Sequence, residues 1–153
     1  MASLVHGTCV AFGLRAVLLR GPSGSGKSDL AFRLIGLGAT LVADDQVSLA
    51  AEEGRVVASA PERLSGLLEL RGLGLAAMPA APRAGLALVV DLVPRDAVPR
   101  LPEPRYAAVE GLDLPLLALH AFDLTAAEKV RLALETIAVR GFPGDDGRLG
   151  DRA

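Results

Sequence analysis

Gly21-Pro22-Ser23-Gly24-Ser25-Gly26-Lys27-Ser28-Asp29, GPSGSGKSD in one-letter code, follows the apolar run AVLLR at residues 16–20 and precedes the helical run LAFRLIGL at residues 30–37. The spacing Gly-x-x-x-x-Gly-Lys-Ser between a strand and a helix is the full Walker A pattern. Glycines at 21, 24 and 26 let successive backbone N–H groups turn inward on phosphate oxygens, and the helix start adds its positive dipole end. In this pattern Lys27 sits on the β- and γ-phosphates of ATP and the Ser28 hydroxyl ligates Mg²⁺, while Pro22, Ser23 and Ser25 complete the loop. A Gly/Ser turn that merely caps a helix is the plainer reading, but it gives no reason for every fixed position and both flanks to agree. Lys27 is one of only two lysines beside fourteen arginines, so a general preference for lysine does not account for it.

Working outward, residues 4–12 and 16–20 read as two strands of a hairpin turning at Gly13. Leu30, Ala31, Leu34, Ile35 and Leu37 recur at helical spacing, and Gly38 supplies the stop. A short strand at 40–43 runs into Asp44-Asp45. Two further strands follow at 46–49 and 55–58, joined by the turn Glu52-Glu53-Gly54. Residues 61–74 show neither period and read as a loop with a short structured start. The aliphatic run 86–93 is the pattern of a central strand buried on both faces. Residues 94–104, with four prolines, form a surface loop, and 114–119 a further strand. A helix spans 125–139, with Thr125 and Glu128 as a capping box and Val130, Leu132, Leu134 and Ile137 available for packing. The whole reads as one α/β domain over residues 1–142, a P-loop on a mixed, twisted sheet, followed by a disordered tail at 143–153.

A phosphate loop that works with Mg²⁺ needs an acid at a neighbouring strand end, and LVADD (residues 41–45) supplies two. Successive strand residues point to opposite faces, so Asp44 and Asp45 do different work unless the strand ends between them. One serves the metal; the other faces the acceptor and takes a hydroxyl proton as the phosphoryl group leaves.

Composition narrows the remaining classes. At 153 residues and 15.8 kDa the chain suits one core burying about two-thirds of its unfolded surface. A net charge of −2 and a pI near 5.7 leave no basic footprint for nucleic acid. Cys9 stands alone and forms no internal disulfide. No apolar run reaches a bilayer's thickness, and the N-terminus lacks the pattern of a secretory signal, so a cytoplasmic protein is expected.

Four stretches together resemble one family: His6-Gly7, the loop GPSGSGKSD, the pair in LVADDQV, and LLELRGLGL at residues 67–75. The chain looks like the catalytic domain of bacterial HPr kinase/phosphorylases, the likeness running from about Val5 to Gly74. The resemblance implies a P-loop fold similar to that of phosphoenolpyruvate carboxykinases. It implies a serine protein kinase that uses ATP and Mg²⁺ to phosphorylate HPr, the small carrier protein of the sugar phosphotransferase system, and removes that phosphate with inorganic phosphate. Carried over by position, Lys27 binds the phosphates and Ser28, Asp44 and Glu69 serve the metal. Asp45 is the base, His6 lies near the phosphates, and Arg71 contacts a phosphate or holds its loop. Gly72 and Gly74 give that loop the freedom to admit a protein substrate.

Three departures bear on these expectations. Long family members carry a further N-terminal domain, whereas here only a few residues precede His6. Their arginine for phosphorolysis has no counterpart in LPLLALHAFDL (residues 114–124), where His120 and Asp123 read as an uncommitted surface pair. The C-terminal segment that helps hold a hexamer and contact HPr is absent or shortened, so a homo-oligomer is left open. Two other readings compete: a nucleotide-sensing module without efficient turnover, and a small-molecule P-loop kinase, for which residues 94–105 make a poor lid.

Overall fold

The fold was obtained as a computed structural model that describes residues 2–61 and 65–143. Among the described residues eleven strands and three α-helices follow in the order β1 (Ala2–His6), β2 (Thr8–Phe12), β3 (Arg15–Arg20), α1 (Lys27–Gly36), β4 (Thr40–Ala43), β5 (Gln46–Glu52), β6 (Arg55–Ser59), β7 (Leu67–Leu70), β8 (Gly74–Ala77), β9 (Arg83–Leu92), β10 (Tyr106–Val109), β11 (Leu112–Leu119), α2 (Ala126–Glu135) and α3 (Ile137–Arg140). Nine strands form one mixed sheet, ordered β1-β5-β6-β9-β3-β2-β4, with β11 also on β9 and β10 on β11. β3 and β11 run parallel to β9, while β6 pairs with it antiparallel.

Period-two alternation divides the apolar residues between the two faces of this sheet. Val10, Val17, Leu19, Leu41, Leu88 and Val90 pack toward Leu30 and Leu34 of α1 and Val130 and Leu134 of α2. Cys9, Ala11, Leu18, Val42 and Val89 face the other way, where Val47, Leu49, Val56, Leu114 and Leu116 close a second core. The run expected to be central is β9: Leu88, Val89 and Val90 are fully buried. Burial of such a side chain is worth about 1.5–3 kcal/mol.

The hairpin around Gly13 pairs Thr8–Phe12 with Arg15–Arg20, but the strand expected at 4–12 is two strands. It breaks at Gly7, and residues 2–6 pair with β5 instead. A Cβ on Gly7 would lie 2.9 Å from the Leu19 carbonyl oxygen and 3.0 Å from Leu18 Cδ1, so glycine is what lets the chain cross there.

α1 ends at Gly38 as expected: Gly38 N–H donates to Ile35 O (3.0 Å) and Ala39 N–H to Leu34 O (3.1 Å), the paired bonds of a Schellman motif. The segment read as a loop at 61–74 holds β7, which pairs with β8 in a separate two-stranded hairpin. Leu68 and Leu70 of β7 turn into the helix-side core while Leu67 and Glu69 face outward. Residues 62–64, within the expected structured start, and 144–153, within the expected tail, lie outside the described residues.

The expected helix at 125–139 divides at Thr136, whose hydroxyl donates to Leu132 O at 2.8 Å. Such back-bonding offers the backbone an alternative to the helix. Thr125 is the N-cap residue of α2 but makes no side-chain cap bond, so the capping box does not form. Leu132 is exposed rather than packed. Among the described residues no helix is long and apolar enough to cross a membrane.

Candidate active site

The loop Gly21–Gly26 joins β3 to α1 at the carboxyl end of the parallel strands. Gly24 and Gly26 take φ of 82° and 97°, values that L side chains rarely adopt. Gly26 is the N-cap residue of α1, and no side chain caps that end. Its first N–H groups are therefore free for an anion. Lys27 is buried, its ammonium donating to the carbonyls of Gly21 (2.6 Å) and Pro22 (3.1 Å). Among the described residues it has no carboxylate partner, so the loop carries a buried positive charge balanced only by neutral dipoles. Such a charge favours an anionic ligand. The Ser25 hydroxyl is buried in the loop without a hydrogen-bond partner.

Asp44 joins four elements. Its Oδ1 accepts from the Thr8 hydroxyl (2.9 Å) and the Ser28 hydroxyl (3.0 Å), and its Oδ2 accepts from the Glu69 N–H (3.1 Å). Thr8 comes from β2, Ser28 from α1, Glu69 from β7, and Asp44 from the residue after β4. The serine hydroxyl and the carboxylate are oxygen donors side by side. They fit Mg²⁺, which takes one or two carboxylates and fills its remaining positions with water and phosphate.

Asp45 differs from its neighbour in every respect. Its φ is 70°, a left-handed conformation that costs about 1–2 kcal/mol and that aspartate accepts better than most residues. Its carboxylate is exposed and lies 3.5 Å from His6 Nδ1. The Gly7 N–H donates to the Asp45 carbonyl at 3.1 Å, so the crossing at Gly7 holds His6 over Asp45. Strand alternation does not decide how the two aspartates are placed. β4 ends at Ala43, and the left-handed turn brings both carboxylates to one cleft.

That cleft, of about 750 Å³, is lined by His6, Ser23, Gly24, Gly26, Lys27, Ser28, Asp44, Asp45, Glu69, Arg71, Gly72 and Gly74 among the residues singled out from the sequence. Gly21, Pro22 and Ser25 stand behind it, the first two as acceptors for Lys27. Three wall residues lie outside the four motif stretches singled out from the sequence: Thr8, Phe32 and Phe122. Thr8 opens a strand and carries no motif; its burial beside Asp44 is a tertiary fact. His120 and Asp123 are not an uncommitted pair. His120 Nδ1 lies 2.9 Å from Val93 O, and Asp123 pairs with Arg95 at 2.7 Å.

A glycine loop opening a helix, a buried lysine and an acid joined to the loop's serine, carried on a mixed sheet, are the parts of a P-loop kinase fold. A family model described as the HPr Serine kinase C-terminal domain matches residues 1–81, more than half of the chain, and the chain belongs to that family. Two relatives, both HPr kinase/phosphorylases, are similar to it. The protein from Clostridium tetani (strain Massachusetts / E88) is 43% identical over 89 residues, and that from Geobacillus sp. (strain WCH70) 45% over 96. Each match takes in 58% of this chain, which spans 28% and 31% of the two relatives. Among solved structures, the Hpr(Ser) kinase/phosphatase from Coxiella burnetii superposes with a TM-score of 0.72 at 25% identity, covering 87% of this chain and 93% of that one. The likeness of fold thus continues past residue 81, where the family match ends.

Proposed function

We propose that this chain is an ATP-dependent serine protein kinase whose acceptor is HPr, the carrier protein of the bacterial phosphotransferase system. One observation carries the reading: a phosphate loop with its serine bonded to Asp44 shares a cleft with an exposed Asp45–His6 pair. Two acids of one dipeptide are thereby given two environments.

In this reading the N–H groups at the start of α1 and the Lys27 ammonium bind the triphosphate. Ser28 and Asp44, with Glu69 beside them, would hold Mg²⁺, which would supply charge neutralisation on the phosphate oxygens. Asp45, exposed at the mouth of the cleft, accepts the serine hydroxyl proton as that oxygen bonds to the γ-phosphorus, the bond to the β–γ bridging oxygen breaks and ADP leaves. His6, 3.5 Å away, orients that carboxylate. Arg71, on the turn between β7 and β8, meets the phosphate from the rim. We assign the kinase direction alone, because residues 114–124 offer no arginine for the attack of inorganic phosphate.

The deciding experiment is intact-mass spectrometry of HPr after incubation with the protein, Mg²⁺ and ATP, beside a Lys27→Ala control. One added phosphoryl group that is absent from the control is the expected result. ATP binding without any mass gain would sink the kinase reading and favour a nucleotide sensor.

A further inference from the structure

The chain has four phenylalanines, one tyrosine and no tryptophan. Phe142 packs edge-on against Tyr106 at 5.8 Å, and Phe12 lies against the helix-side core. The other two rings, Phe32 and Phe122, are 46% and 55% exposed, and both line the phosphate-loop cleft. A single exposed ring needs no explanation, but two on the walls of one cleft do.

Both rings are held on a rigid frame. Phe32 lies one turn beyond Ser28 on α1, so the two share a helix face. Phe122 reaches over the loop: a Cβ on Gly26 would lie 2.9 Å from Phe122 Cζ. The Arg33 guanidinium donates to the carbonyls of Ala121 and Asp123 and pairs with Asp29 at 3.4 Å. Arg95 grips Asp123, and the His120 ring meets Phe122 edge-on at 5.8 Å. The segment carrying Phe122 is thus tied to the helix that carries Phe32, while both rings stay open to water.

The lining of the cleft is chemically mixed: Thr8, His6, Asp44, Asp45 and Glu69 contribute polar, largely acidic groups, Phe32 and Phe122 contribute aromatic rings, and the phosphate loop lines it as well. On the reading of the cleft as a nucleotide site, on which this inference rests, a triphosphate in the loop has its reacting end toward the acids. We propose that Phe32 and Phe122 form the nucleobase subsite, taking a purine by stacking on their faces. Stacking tolerates any flat base, so the subsite holds the base of ATP without reading its edges.

The test compares ATP with inorganic tripolyphosphate, which offers the same phosphates and no base. Phe32→Ala and Phe122→Ala should each weaken ATP binding roughly tenfold, the loss typical of a stacked base, and leave tripolyphosphate affinity unchanged. Because the chain has no tryptophan, Phe122→Trp gives a lone indole, whose fluorescence ATP should quench and tripolyphosphate should not. Equal losses for both ligands, unchanged ATP affinity in both alanine variants, or equal quenching would overturn the subsite. Wild-type protein that binds neither ligand would overturn the nucleotide reading itself, whereas tripolyphosphate binding with indifferent phenylalanines would remove the subsite alone.

Discussion

Ser28 Oγ and Asp44 Oδ1 lie 3.0 Å apart although one stands in the first turn of α1 and the other just after β4. The contact couples the loop that would bind phosphate to the acid that would serve the metal, and the Thr8 hydroxyl and Glu69 N–H complete it from two further elements. Removing the carboxylate strips an acceptor from three donors, of which the Thr8 hydroxyl belongs to a residue only 1% exposed. Asp44→Ala should therefore lower stability without ligand by about 1–3 kcal/mol. That is a drop of several degrees in Tm, at roughly 2–4 °C per kcal/mol for a chain of this size. Thermal unfolding of the variant at its wild-type Tm would show that the network holds nothing together.

Asp45 invites the opposite experiment. It is exposed and among the described residues its carboxylate makes one polar contact, to His6, so its replacement should cost little stability. Asparagine tolerates the same left-handed conformation, which keeps the turn intact. Asp45→Asn should leave ATP affinity within about twofold and cut phosphoryl transfer by roughly 10²- to 10⁴-fold, the usual share of a general base. Single-turnover rates beside equilibrium ATP binding separate the two effects. An unchanged transfer rate would take the base role away from Asp45.

The parts legible in the sequence are those whose physics is local. The phosphate loop needs glycines at fixed offsets, α1 needs its apolar spacing and a glycine stop, and β9 needs an unbroken aliphatic run. Each of those signals lies within about ten residues. What escaped the sequence depends on distant partners. Residues 4–12 are rich in strand-forming residues and read as one strand, yet Ala2–His6 pairs with residues 46–50 while Thr8–Phe12 pairs with β3 and β4. The local composition does not name the two sets of partners. β7 and β8 are four residues each, too short to display a period, and exist because Leu68 and Leu70 find the core. Thr8, Phe32 and Phe122 entered the cleft through tertiary packing, and only Phe32, four residues after Ser28, stood where a helix-face argument would have found it.

Gly7 carries a prediction that sequence pattern alone does not suggest. A methyl group there meets the Leu19 carbonyl oxygen at 2.9 Å, a backbone atom that cannot swing aside. Gly7→Ala should cost about 1–3 kcal/mol through overpacking and disturb the His6–Asp45 contact that the crossing holds. Gly13→Ala is the comparison: its φ of 62° adds strain, but nothing lies within 4 Å of an added Cβ. The Gly7 variant should lose transfer activity at temperatures where it is still folded, and the Gly13 variant should not. Circular dichroism melts and HPr phosphorylation on the same samples make the comparison, and equal activity losses would refute a specific role for the crossing.

Cys9 links packing to pH. The thiol is fully buried between the second core and its own sheet, and that desolvation pushes its pKa up from 9.0 to about 12. The unfolded thiol ionises near pH 9 while the folded one keeps its proton. Above that point the native state binds more protons and stability falls as pH rises, by up to about 1.4 kcal/mol per pH unit, until the folded thiol also ionises. Cys9→Ala loses some packing at every pH but loses this slope. The stability gap between wild type and variant should therefore be constant from pH 6 to 8.5 and narrow between pH 9 and 11. Urea melts at matched ionic strength measure it, and native protein should react with a thiol reagent only as fast as it unfolds. Rapid labelling of the folded protein at pH 8, or a gap that does not narrow, would mean that Cys9 is not sealed from water.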